Sequence, residues 1–250
     1  MATKNTYIQH KLISIPQTTG TNNYQFLFKA DDCYEFLSGV GCFSIAGSVP
    51  QADSIEIEFR SDYKSILSYS PYEIWCKNPQ SASFNLQDIF KPLNVDARGR
   101  NFYLNVKVTN CAAFNFMALI KQTTFPVPCI RYDAQTWTIA APTLGQGVSI
   151  TLPSDFQRCK GIAITGGQAA NANVIGFDIY DSGGQIVDPL PMSVIAPSIN
   201  TQYDEQFYPV DFDSKSKQIF VRLTQIGTLA ATYVATDYKV TFLLIDEKDA

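Results

Sequence analysis

Apolar and polar residues alternate with period two along most of this chain, and that alternation limits its fold more than any other feature. Ile55-Glu56-Ile57-Glu58-Phe59-Arg60, Leu104-Asn105-Val106-Lys107-Val108-Thr109 and Val221-Arg222-Leu223-Thr224 each put apolar side chains on one face of a strand and polar ones on the other. The same reading predicts strands over 24–28, 42–46, 114–120, 148–152, 161–165, 175–180 and 239–245. Turn clusters separate them: Ala46-Gly47-Ser48-Val49-Pro50, Lys77-Asn78-Pro79-Gln80, and Asp181-Ser182-Gly183-Gly184, the last a hairpin. No stretch carries three turns of amphipathic helix; 31–37 and 85–90 offer one or two turns. The fold class is therefore all-β, a sandwich or barrel.

The strands also repeat. Phe43, Ile45 and Gly47 match Ile162, Ile164 and Gly166 at a spacing of 119. Ile55, Ile57 and Phe59 match Ile175, Phe177 and Ile179 at 120, and Leu104, Val106 and Val108 match Ile219, Val221 and Leu223 at 115. Phe116, Ala118 and Ile120 correspond to Phe242, Leu244 and their neighbours. A unit of this length is too long for a solenoid repeat and suits a whole sandwich domain. The alternate prolines of Phe125-Pro126-Val127-Pro128 favour an extended connector. The expected organisation is an N-terminal arm (1–22), a first domain (23–124), a linker (125–133) and a second domain (134–250).

Composition narrows the chemistry. Charged residues make up 17% of the 250, and the net charge is −4. Polarity comes instead from 18 Ser, 19 Thr, 13 Asn and 16 Gln. No basic block is present, so binding nucleic acid through phosphate neutralisation is not expected. The first residues lack the apolar core of a secretory signal, and no window of 18 apolar residues is long enough for a spanning helix. The single histidine, His10, lies in a polar segment, which removes most triad and zinc-site readings. Six cysteines (33, 42, 76, 111, 129 and 159) form no C-x-x-C pair and are expected as free thiols.

The carboxylate pairs Asp31-Asp32, Asp204-Glu205 and Asp211 with Asp213 read as solvated loop residues, not a glycosidase pair. The stretch 211–217 lacks the glycine and terminal glutamate of a calcium loop and carries two lysines. No catalytic residue, metal ligand or cofactor-binding motif is expected. Aromatic residues leave an alternative open. Tyr63, Tyr69, Tyr72, Trp75, Tyr203 and Tyr208 could stack on sugars, which would make this a carbohydrate- or receptor-binding sandwich of a virion spike or cell surface. Trp75 and Trp137 read better as packing anchors.

A duplicated all-β chain without catalytic constellation, carried by the segment pairs 41–48 with 160–167 and 104–109 with 219–224, resembles a known family. It is similar to the double jelly-roll major capsid proteins of icosahedral phages with an internal membrane, the adenovirus-hexon-like lineage. The resemblance covers residues 23 to 250. It implies two tandem jelly rolls and a homotrimer whose six barrels make a pseudo-hexagonal capsomer tiling a virion shell. It further implies neighbouring capsomers and minor capsid or penton proteins as partners, peripheral contact with the viral membrane, and synthesis in the host cytoplasm. No enzyme activity and no sequence-specific nucleic-acid binding are implied. The arm residues Tyr7, Ile8, His10, Ile13 and Ile15 would contact a neighbouring subunit or the inner layer, and the stretches 185–206 and 226–237 would build the outer surface.

Overall fold

The computed structural model describes residues 6–45, 50, 52–77, 89–126, 131–197 and 206–246. They fall into two compact units, the first running to Asp133 and the second beginning at Ala134. In the first, one sheet has the order β1 (Thr6–Ile15), β9 (Phe114–Thr123), β3 (Phe36–Ser44) and β7 (Lys91–Asp96). The two-residue β6 (Cys76–Lys77) adds parallel to the end of β3. The opposing sheet has the order β2 (Thr18–Lys29), β8 (Asn101–Cys111), β4 (Ala52–Ser61) and β5 (Ser65–Pro71). Alternate residues meet between the sheets: Phe59, Phe102, Leu104 and Val106 from one, Ile13, Phe116, Ala118 and Ile120 from the other, each fully buried. Removing each such side chain from water contributes about 1.5–3 kcal/mol, which is what fixes the strand register.

The second unit repeats this order. One sheet is β10 (Arg131–Ile139), β17 (Tyr238–Asp246), β12 (Arg158–Gly166) and β15 (Tyr208–Asp213). The other is β11 (Gly147–Thr151), β16 (Gln218–Gln225), β13 (Ile175–Asp181) and β14 (Gly184–Pro191). Leaving aside the two-residue β6, the described residues of each unit form an eight-stranded jelly roll of two four-stranded layers, and the chain is a double jelly roll. The second core gathers Ile162, Ile164, Phe177, Ile179, Val221, Tyr238, Val240 and Phe242.

Pairing register shows how deep the duplication goes. Val40 pairs with Ile120 and Ile162 with Phe242, so both members advance by 122. In each unit the register of this pair shifts at the same place, between Leu37 and Gly39 and between Cys159 and Gly161. The β4–β5 and β13–β14 hairpins match at a spacing of 120, bulges included: Phe59 pairs with Leu67, and Ile179 with Val187. Each hairpin ends in a proline, Pro71 or Pro191, that leads into a single helical turn, α1 (Tyr72–Trp75) or α2 (Met192–Ile195). Proline suits that position because its missing N–H has no helical partner to lose.

The closest sequence echo lies at a spacing of 117, where Phe90-Lys91-Pro92-Leu93-Asn94-Val95-Asp96 meets Phe207-Tyr208-Pro209-Val210-Asp211-Phe212-Asp213. Gly39 pairs with Pro92 and Gly161 with Pro209. A Cβ on Gly39 would lie 3.1 Å from the Phe90 Cβ, and one on Gly161 would come well inside 3.0 Å of the Phe207 Cβ. A phenylalanine is packed directly over both strands, tightly over Gly39 and closely enough over Gly161 that a Cβ there displaces it.

Several sequence expectations change. The arm assigned to 1–22 is β1 and the start of β2, a pair of edge strands of the first jelly roll. Its polar pattern concealed it, because an edge strand buries fewer residues than a central one. Segment 31–37 is not a helical turn but a tight turn leading into β3. Trp75 lies on α1, not on a strand. The linker 125–133 overlaps β10, which begins at Arg131. Three of the four repeat matches shift by a few residues: Val106 corresponds to Leu223, Ile120 to Phe242 and Val40 to Ile162. The match of Phe43 to Ile162 fails on the face as well. Ile162 points into the core, whereas Phe43 lies on the opposite side of its sheet, against Ile89, Phe90 and Leu119.

Candidate assembly surfaces

The outer faces of the two β2- and β11-containing sheets carry uncharged and paired polar rows. On the first, Gln25 Nε2 donates to Asn105 Oδ1 at 3.2 Å, and Asn105 Nδ2 donates to Glu58 Oε2 at 2.7 Å. One row along, Lys107 pairs with Glu56 at 3.1 Å. On the second, Asp178 takes the place of Glu58 and is held by Arg222 and Gln185. Tyr180 and Phe220 stack beside it at 5.4 Å, with the Arg222 guanidinium over the Tyr180 ring. Asp178 is 1% exposed, so these bonds replace its hydration. Cross-strand pairing of this kind occupies the polar groups and lowers the desolvation cost of covering the face again.

The arm residues divide. Ile13 and Ile15 are 0% and 2% exposed in the core of their own unit, so they do not contact another subunit. Their place follows from β1 pairing with β9, Ile13 opposite Phe116 and Ile15 opposite Phe114. Ile8 packs on the outer cluster of Ile89, Phe90 and Leu119. Tyr7 stacks on Tyr34 at 5.5 Å and remains exposed, as does His10. Lys11 closes the seam between the edge strands, donating to the Leu27 carbonyl at 3.1 Å with its ammonium 5.9 Å from the Phe28 ring centroid.

The stretch 226–237 is a pinned loop. Asn171, itself fully buried, accepts from the amides of Ala230 and Ala231 and donates to the Ala231 carbonyl, while Tyr233 donates to Pro142 O at 2.5 Å. Of the stretch 185–206, residues 185–197 and 206 are described, as β14, α2 and Gln206. Asp204, Glu205, Tyr203 and Cys129 lie outside the described residues.

Several other titratable groups are engaged in packing and pairing. Lys160 and then Arg158 hold Asp211 below the usual carboxylate range, and Lys217 does the same for Asp181. Carboxylates held ionised in this way are poor general acids. Lys91 is buried, donates to the Ile74 carbonyl at 3.0 Å and lies 4.8 Å from the Trp75 ring centroid; burial pushes its ammonium well below the ordinary lysine value. Burial likewise raises the Cys76 thiol, and the Cys159 thiol is pushed up to about 12. Among the described residues, Cys42, Cys76, Cys111 and Cys159 are buried free thiols and Cys33 is an exposed one. No three His, Cys, Asp or Glu side chains converge among them as a metal site. Tyr72 and Trp75 are buried, and Trp137 packs edge-on to Phe242, so none of the three offers a flat platform to a sugar.

No protein-family model matches the chain. No curated protein matches it either. Among solved structures it is similar to the STIV major capsid protein, at 9% identity and a TM-score of 0.47 over 96% of each chain. It is also similar to the major capsid protein P2 from bacteriophage PM2, at 10% identity and a TM-score of 0.44 over 95% of this chain and 97% of that one. A third likeness is to a peptide-N(4)-(N-acetyl-β-D-glucosaminyl)asparagine amidase, at 12% identity and a TM-score of 0.40 over 97% and 96%.

Proposed function

We propose that this chain is a major capsid protein, a structural subunit that forms a homotrimeric, pseudo-hexagonal capsomer of an icosahedral virion shell over an internal membrane. The observation that carries the reading is the duplication itself: two jelly rolls on one chain that share strand order, bulges and glycine–phenylalanine packing. Two similar domains present similar lateral surfaces, so three chains can supply six near-equivalent sides to a hexagonal block. The paired polar rows support it, since such faces can be covered by further copies at modest desolvation cost. Its partners are then other copies in the trimer, adjacent capsomers, minor capsid proteins and the membrane beneath. It catalyses no reaction. Light scattering of purified protein at micromolar concentration is expected to give three times the chain mass, and electron microscopy six lobes in a threefold ring. A persistent monomer overturns the proposal.

A further inference from the structure

The two jelly rolls differ at a matched bulge. In the first, the bulge of β5 carries Ser68 and Tyr69, and Asp133 caps it: the Ser68 amide donates to Oδ1 at 2.9 Å and its hydroxyl to Oδ2 at 3.0 Å. In the second, the bulge of β14 holds Asp188 and Pro189 at the same positions, 120 residues on. Asp188 is exposed, and no bond to its carboxylate is found among the described residues. Further along the same strand, toward the β13–β14 turn, a groove of about 480 Å³ opens between β14 and β15, lined by Ile186, Tyr208, Val210 and Phe212 among others. Those four are partly exposed; of their first-unit counterparts, Ile66, Lys91 and Leu93 are 4%, 2% and 3% exposed, while Val95 is partly exposed like Phe212.

We propose that the start of β1 from a second copy of this chain docks on the β14 bulge, next along the strand from this groove, with its Tyr7 hydroxyl donating to the Asp188 carboxylate. The occupant follows from the duplication. The strand matching β10 is β1, and the inward residues Ile13 and Ile139 set their spacing at 126, which puts Tyr7 where Asp133 stands. Donor and acceptor are exchanged between the two places. Where the bulge offers a serine donor the cap is a carboxylate, and where it offers a carboxylate the matching residue is a phenol. Pro189, Pro191 and Pro209 remove amides from both strands that border the groove, so the contact is made by side chains and does not propagate as a β-ladder. A head-to-tail contact of this kind closes into a ring when the rotation between copies allows it. The inference rests on the assembly proposed above and names one contact within it.

The test uses the full chain in a Cys33→Ser background. Chains carrying Tyr7→Cys and chains carrying Asp188→Cys are mixed, reassembled and oxidised with diamide. A disulfide-linked pair containing one of each is expected on a non-reducing gel, with neither variant cross-linking alone. Tyr7→Phe and Asp188→Asn, which preserve shape, are each expected to weaken self-association roughly tenfold per contact. Trimers by light scattering that neither cross-link nor respond to these two substitutions overturn the docking and leave the capsomer reading intact. Monomeric parent protein overturns both.

Discussion

At the residue scale, the duplicated glycine positions are tighter in the second unit, at Gly161. Its strand crosses directly beneath Phe207, and a methyl group there would meet the phenylalanine Cβ. Gly161→Ala is expected to destabilise the second unit by about 1–3 kcal/mol, the usual cost of overpacking a filled core. Gly39→Ala, with 3.1 Å to the Phe90 Cβ, should cost less because a shift of a few tenths of an ångström relieves it. Denaturant unfolding of the two variants checks the order, and equal effects would sink the argument. Gly161 and Gly39 lie in plain view in the sequence as glycines. Nothing in their local pattern identifies what covers them, because Phe207 and Phe90 approach from about 46 and 51 residues away.

At the scale of elements, β1 is where sequence and structure part most clearly. Thr6–Ile15 buries only Ile13 and Ile15 fully, so its pattern does not alternate far enough to be read as a strand. The structure nonetheless pairs all ten of its residues with β9. Deleting residues 1–16 is therefore expected to remove the β9 edge partner and two core side chains, and to leave the first jelly roll unfolded or aggregated. Circular dichroism and solubility of the truncated chain test this; a folded, soluble product would restore the reading of a detachable arm. Central strands behaved differently. β4, β8, β13, β16 and β17 were legible because both neighbours and one buried face demand alternation or continuous apolar character. The repeat matches among them paired equivalent strands, in register for β4 with β13 and a few residues out for the others, since loops and bulges of different length shift register without changing the pattern on either side.

At the scale of the whole molecule, few charges remain to govern its response to pH, and two of them sit in the second unit. Asp181 and Asp211 are held below the carboxylate value by Lys217 and by Lys160 with Arg158. A depressed folded-state value adds stability above the unfolded value near 3.8, and that stability is lost as pH falls through the folded one. Thermal unfolding of the second unit is thus expected to move to lower temperature as pH drops from about 5 to about 2. The pair Asp181→Asn and Asp211→Asn should flatten that slope, and an unchanged slope would remove these two groups as its cause. The low charge has a second consequence at this scale. Faces built from Gln25, Asn105 and their like carry little like-charge repulsion between copies.

The sequence alone determined the all-β class and the division into two similar halves. Each is a statement about residue type and period, and strands obey the period wherever one face is buried. The eight-strand count of each half, the edge strands and the glycine–phenylalanine crossings needed the tertiary structure. So did the bulge that is capped in one unit and open in the other. These depend on which distant segment lies against a given strand, and pairing energy between residues far apart in the chain leaves no mark on the local pattern of either.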